Sequence, residues 1–303
     1  MHGGNKEMKK FIILIPLYND WESVSKLLDQ IDLKVYDWNA EVSILIVNDA
    51  STEKRSSLNL NFKKIKLVKI LNMKENRVHQ RCIAAGLKYI CKNEDFDRVI
   101  VMDADGEDRP EELDNFFKKS QESPNMTITG NRYKRSEGFI FKIFYELHKL
   151  ITLIMTGKLI KFGNFTCLPK SHVQKLIQQP YLWNSYSSSI VKTINDRISI
   201  PSIRGIRYVW PSKVNFFALV FHSLSIISVF RNTVITRSII FFLTYLFLIF
   251  NNFSIFSLSP ILFLFIFILI ILKISTRSNL DGLNKSLDNI DNIDVLGDSN
   301  SRQ

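Results

Sequence analysis

The densest chemistry in the chain lies in Arg98-Val-Ile-Val-Met-Asp103-Ala-Asp105-Gly-Glu107-Asp-Arg-Pro-Glu-Glu112, where an apolar run ends in closely spaced carboxylates. If Arg98 to Met102 is a buried strand, Asp103 and Asp105 stand at its carboxyl end, the side of an open α/β sheet where ligands bind. Two carboxylates two residues apart on extended backbone project the same way and can share one divalent cation. Hard oxygen donors select Mg2+ or Mn2+, which bridge nucleotide phosphates and neutralise a departing diphosphate. Glu107 is a further candidate ligand on the same loop. The plain alternative for an Asp-x-Asp pair is a solvated acidic loop, and the apolar strand before it argues for the metal.

Cations recur further on, in Arg132 and Arg135 of Gly130-Asn-Arg-Tyr-Lys-Arg135, in Lys142, and in Arg207 and Lys213. A guanidinium fork matches phosphate geometry, although each could also be a solvated surface charge.

The elements that must position these groups read as a mainly parallel sheet covered by helices, because short apolar runs alternate with helical patterns. Strands are expected at Phe11 to Ile15, Val42 to Val47, Lys66 to Ile70, Arg98 to Met102 and Met126 to Thr129. Helices are expected at Trp21 to Ile31, Val78 to Cys91 and Pro110 to Ser120. Pro110 suits a first helical position, and Glu111 and Glu112 complement the helix dipole there.

The second half changes character. Glu137 to Met155 reads either as a core helix or as a helix at a membrane interface, and Asn215 to Phe230 reads as interfacial because it leads into the apolar segment. Ser238 to Ile274 holds no charged side chain except Lys273, which suits two spanning helices around the polar turn Asn251 to Pro260. Arg231 and Arg237 in front, with Lys273 and Arg277 behind, place both open ends on the cytoplasmic side. The expected organisation is therefore a catalytic domain over 1–213, an interfacial amphipathic helix over 214–232, a transmembrane hairpin over 233–275 and a disordered polar tail over 276–303.

The net charge of +11 sits in the body, since the tail carries five Asp against Lys285 and Arg302. A basic body beside an apolar hairpin attracts anionic headgroups or phosphorylated substrates. Nothing here has the zinc spacing, helix-turn-helix pattern or aromatic-basic interleaving of a nucleic-acid binder, so no nucleic-acid partner is expected. Three cysteines without a Cys-x-x-Cys pair favour a reducing compartment. The apolar run Phe11 to Leu17 is too short for a secretory signal.

With these pieces in order, the chain resembles glycosyltransferase family 2, and within it the polyprenyl-phosphate branch that includes dolichol-phosphate mannosyltransferases. Pro16-Leu-Tyr18-Asn19-Asp20 resembles that family's Pro-x-Tyr-Asn-Glu, and Val47-Asn48-Asp49-Ala50-Ser51 its Val-Asp-Asp-Gly-Ser. Asn76-Arg-Val78-His79-Gln-Arg81 resembles the Asn-x-Gly helix start, with Val78 where the Gly stands. Phe162-Gly-Asn164-Phe resembles the Gly-Phe-Arg strand, and Arg207 to Lys213 the Arg-x-x-Gly-x-Ser-Lys segment, with Trp210 for its Gly.

The resemblance implies a GT-A-type fold and an inverting, metal-dependent transfer from a nucleotide-sugar donor to a polyprenyl phosphate. It implies that Asp103 and Asp105 are the catalytic pair. Pro16, Tyr18, Asn19, Asp20, Asp49, Asp103, Arg207 and Lys213 would hold the donor, and Arg132, Arg135 and Lys142 the acceptor phosphate. The setting would be a multi-pass protein of the inner membrane with a cytosolic catalytic domain, and a homo-oligomer is compatible with it. The runners-up are a family 2 enzyme acting on another cell-envelope acceptor and a non-catalytic membrane scaffold derived from one.

Relatives acting on hydroxyl groups carry an acid after the Gly-Phe-Arg strand, but no Asp or Glu occurs between Leu168 and Asn195. A phosphate acceptor is already ionised near neutral pH and needs no base. Dehydrogenase and P-loop chemistry are disfavoured, since neither glycine signature occurs. A nucleotidyltransferase would share the sheet and metal but not need the hairpin.

Overall fold

The computed structural model describes residues 8–55, 58, 61–134, 139–209, 216–251 and 254–296. Its centre is four parallel strands, β1 (Lys9–Leu17), β2 (Ala40–Asn48), β3 (Ile65–Met73) and β4 (Arg98–Val101), in the order β4-β1-β2-β3. Residues such as Ile13, Leu14, Ile46, Val47 and Val101 are buried, as near-continuous apolar runs require in a sheet covered on both faces. Helices α1 (Trp21–Lys34), α2 (His79–Asn93) and α3 (Leu113–Glu122) are the crossovers. One core layer joins α1 to the sheet through Phe11, Trp38 and their neighbours, and the other packs α2 on Leu14, Val47 and Val101.

Beyond β4 the sheet turns mixed. Strand β5 (Thr127–Lys134) is followed by α4 (Phe139–Thr156) and by β6 (Phe162–Pro169), which pairs antiparallel with both β4 and β5. Helices α5 (Lys170–Leu176) and α6 (Tyr186–Thr193) lead to β7 (Arg197–Ile203), parallel to β5. Arg98 ties this half together, its buried guanidinium donating to the carbonyls of Ser120, Ser123 and Pro124.

The apolar half forms α7 (Phe216–Ser228), α8 (Arg231–Ile249) and α9 (Ser259–Ser275). Helices α8 and α9 form a hairpin and are long and apolar enough to cross a membrane, with little of either span buried inside the protein. Exposed Phe241, Leu248, Phe263, Phe265 and Leu269 face outward from them. Contiguous exposed apolar faces of this kind mark a surface that meets another apolar phase or partner.

The expected disordered tail is corrected by the structure. Residues 280–296 form α10 (Leu280–Asn284) and β8 (Ile290–Leu296), and β8 adds antiparallel to β3, covering the edge of the sheet. Leu283 is buried, and Leu287 and Ile290 pack on the α2 side of the core. Asp and Asn between these apolar residues gave the segment a disordered composition. Its stability comes from an edge more than 200 residues away in sequence, where β3 leaves backbone groups unpaired.

Candidate active site

All the sequence-predicted donor and metal residues that are described converge at the carboxyl ends of β1, β2 and β4. Asp49, at the end of β2, is buried and accepts from the backbone N–H groups of Arg77 at 2.7 Å and Val78 at 2.9 Å. It thereby fixes the approach to α2. Asn19 accepts from the N–H groups of Thr52 and Glu53 at 2.8 and 3.0 Å and so ties the β1 end to the β2 end. Pro16 lies within β1, and Tyr18 is exposed beside this junction.

Two backbone conformations mark the departures from the family pattern. Ala50 has φ 54° and Val78 φ 75° with ψ 146°. Both stand where the family carries Gly, so the loop keeps its left-handed turns although a Cβ is present. For β-branched Val78 this conformation is strained.

The metal motif departs from the expected extended geometry. Strand β4 ends at Val101, and the chain turns at Ala104 and Asp105. Three contacts set that turn. The buried Asp108 carboxylate accepts the Asp103 N–H at 2.9 Å, Asp105 Oδ1 accepts the Glu107 N–H at 2.9 Å, and Gly106 takes φ 85°. The two carboxylates consequently meet different partners. Asp103 Oδ1 accepts from Asn164 at 2.9 Å and lies 3.1 Å from His79 Nε2. Asp105 Oδ2 pairs with Arg207 at 2.5 Å.

Arg207 also reaches Asp20 at 3.0 Å, and Arg204 forks onto Glu107. The segment 204–209 thus lies across the acidic loop. Gly205 donates its N–H to the Glu107 carbonyl at 2.8 Å, and a Cβ there would meet the Gly106 carbonyl at 2.4 Å. Close passage of two backbones requires the glycine.

Arg132 is placed at the centre of this acidic group rather than at its rim. Its guanidinium pairs with Asp108 at 2.9 Å and lies 3.9 Å from Asp103, under Gly163. Arg135 and Lys213 fall outside the described residues. Lys142 lies on α4, with its side chain outside the description.

The charges perturb one another strongly. Burial together with the charges of Asp103 and Glu107 pushes the Asp105 carboxyl up to about 6. Burial lowers the His79 imidazole, but the adjacent Asp103 carboxylate outweighs it and leaves the group above its ordinary value. For Asp103, burial raises and the cations His79 and Arg132 lower, and the cations win.

Among the described residues, no three His, Cys, Asp or Glu side chains converge into a ready-made cation site. The donor set is nonetheless oxygen-only and anionic, which fits Mg2+ or Mn2+. Such ions are held by one or two carboxylates plus substrate phosphates, not by a full protein cage. Asp108, Asn164 and Arg204 were not singled out from sequence. The Asp-Gly-Glu-Asp run contained Asp108, but only burial distinguishes its role.

His222 on α7 is exposed, and the charges of His79 and Asp103 and of His148 on α4 act on it. Both helices therefore stand beside the Asp103 end of the sheet.

The Glycosyl transferase family 2 profile matches residues 12–183. Among solved structures, mannosyl-3-phosphoglycerate synthase from Rubrobacter xylanophilus aligns with TM-score 0.51 at 12% identity, covering 76% of this chain and 74% of that one. Glucosyl-3-phosphoglycerate synthase from Mycobacterium tuberculosis, in complex with Mn2+, UDP-glucose and phosphoglyceric acid, aligns with TM-score 0.49 at 10% identity over 76% and 79%. At these identities the likeness is one of fold, a mainly parallel GT-A-like sheet with flanking helices. The matched span runs from β1 through the metal motif to Asn164 and beyond, and on that ground the chain belongs to glycosyl transferase family 2 and is a glycosyltransferase.

Proposed function

We propose that this glycosyltransferase moves a sugar from a nucleotide-sugar donor to a polyprenyl phosphate of the undecaprenyl or dolichyl type, at the cytoplasmic face of the membrane. The observation that carries the reading is the position of Asp103 and His79 near α7, which leads into the apolar hairpin, and α4, which packs on α7 and α8. An acceptor with its tail in the bilayer and its phosphate at the interface would reach the Asp103 end from that side.

In this reading Asp20, Asp49, Tyr18, Asn19 and the β1 end around Pro16 hold the nucleoside, and Arg207 and Lys213 meet the diphosphate. Asp103, Asp105 and Glu107 would hold Mg2+ or Mn2+, which neutralises charge on the departing diphosphate. Arg207 is already positioned between Asp20 and Asp105, so a diphosphate entering there gains a guanidinium at once. Arg132 balances Asp108 and Asp103 from beneath, and Arg135 and Lys142 are further cations within the acceptor side of this reading.

An ionised phosphate oxygen attacks the anomeric carbon directly, the nucleoside diphosphate leaves from the opposite side, and the configuration inverts. No side chain need take a proton, because the attacking oxygen carries none at neutral pH. The chain's work is orientation and charge balance. Incubation of the full-length protein with polyprenyl phosphate and a panel of nucleotide sugars tests this. A lipid-linked sugar phosphate is expected, and product only on non-lipid acceptors contradicts it.

A further inference from the structure

The first turn of α2 carries His79 and Arg81 and no acidic residue, and Arg77 lies just before its N-cap Val78. Arg81 is half-buried. Its guanidinium lies over the Trp183 ring at 5.0 Å, and its Nε donates weakly to the Trp183 carbonyl at 3.4 Å. Arg277 stands two residues past the end of α9, over the Phe221 ring of α7 at 4.7 Å. Arg77 pairs with the exposed Glu75 at 2.7 Å. Among the described residues, neither Arg81 nor Arg277 has a carboxylate partner.

Trp183 gathers two of the segments involved, since Arg81 stacks on its ring and Gly282, five residues past Arg277, lies against its Nε1. Burial lowers the Arg81 pKa first, and the charges of Arg277 and Arg77 lower it further. Gathering like charges around a buried Trp183 and an exposed Phe221 ring is unfavourable unless an anion joins them. A pair of planar forks is suited to phosphate oxygens. The platform is itself supported from the tail, since a Cβ at Gly282 would sit 2.8 Å from Trp183 Nε1.

We infer that Arg81 and Arg277, with Arg77 beside them, bind the phosphate of the lipid acceptor where the hairpin meets the catalytic domain. This rests on the reading of a lipid-phosphate acceptor. It accounts for two features at once. Arg132 is committed to Asp108 and is poorly placed to clamp a substrate, whereas Arg277 stands at headgroup level, just beyond a spanning helix. The site joins Arg77 and Arg81 of the catalytic domain to Arg277 just past the hairpin, so the acceptor is bound only when the two parts are docked.

The test uses full-length protein in phosphatidylcholine nanodiscs and a labelled short-chain polyprenyl phosphate, with polyprenol of equal length and inorganic phosphate as competitors. Binding of the polyprenyl phosphate is expected, with little competition from either. Arg81→Gln and Arg277→Gln should each weaken it at least tenfold, Arg81→Lys and Arg277→Lys less, with Mn2+-dependent nucleotide binding unchanged. Parent-like lipid binding in both Gln variants would overturn the assignment while leaving the lipid acceptor standing. Failure of the parent to prefer polyprenyl phosphate over polyprenol would remove both. Equal competition by inorganic phosphate would overturn the lipid source. Joint loss of lipid and nucleotide binding in the Gln and Lys variants alike would mark a structural role and overturn the site.

Discussion

The acidic loop is where single residues decide most. Asp103 and Asp105 have partners in the site rather than in the apolar core, so Asp103→Asn or Asp105→Asn should abolish transfer while leaving the thermal transition near that of the parent. Near-normal turnover in both variants, still requiring metal, would remove the metal assignment. A cation must take the ionised form of Asp105, whose carboxyl is raised to about 6. Metal affinity should therefore hold above that pH and fall about tenfold per unit below it, as measured by Mn2+ titration of the nucleotide complex. Arg132→Ala leaves buried Asp108 without its cation and should cost about 3–5 kcal/mol of stability. The double variant Arg132→Ala/Asp108→Ala should recover part of that in a denaturation series. At Val78, replacement by Gly removes a strain of about 1–3 kcal/mol against an entropy cost of about 0.5–1. A net rise in melting temperature is expected, and a fall would show that the loop is not held in this conformation.

At the scale of elements, the strands that sequence reading located are those buried on both faces, because Phe11 to Ile15 or Val42 to Val47 can belong to little else. Strand β6 is marked only by the resemblance of Phe162 to Phe165 to the family's Gly-Phe-Arg strand, and β7 is not marked at all. Phe162 to Pro169 mixes Gly, Asn and Thr, and Arg197 to Ile203 alternates with polar residues at a sheet edge, so neither presents an apolar run. The turn at Asp105 was invisible for another reason. It is set by Asp108 and Gly106 acting on the backbone, and spacing alone cannot distinguish that from extended chain. The tail was misread because its stabilising partner is the β3 edge. Truncation after Ser278 should expose that edge and the sites of Leu283 and Ile290, lowering the melting temperature and promoting aggregation. Limited proteolysis of the intact protein should spare residues 280–296, and rapid cleavage within β8 would contradict its docking.

For the whole molecule, the catalytic sheet and the hairpin are linked twice, through α7 in front and through the tail behind, which returns from α9 to the far edge of the sheet. That double attachment holds the Asp103 end of the site against the helices that would meet lipid. The most direct test supplies the full-length protein with Mn2+, a panel of nucleotide sugars, and polyprenyl phosphate and 3-phosphoglycerate together, and identifies products by mass spectrometry. The account predicts one lipid-linked sugar phosphate of inverted configuration, lost on chelation and in Asp105→Asn. Glycosylated phosphoglycerate with no lipid product from any donor would contradict it.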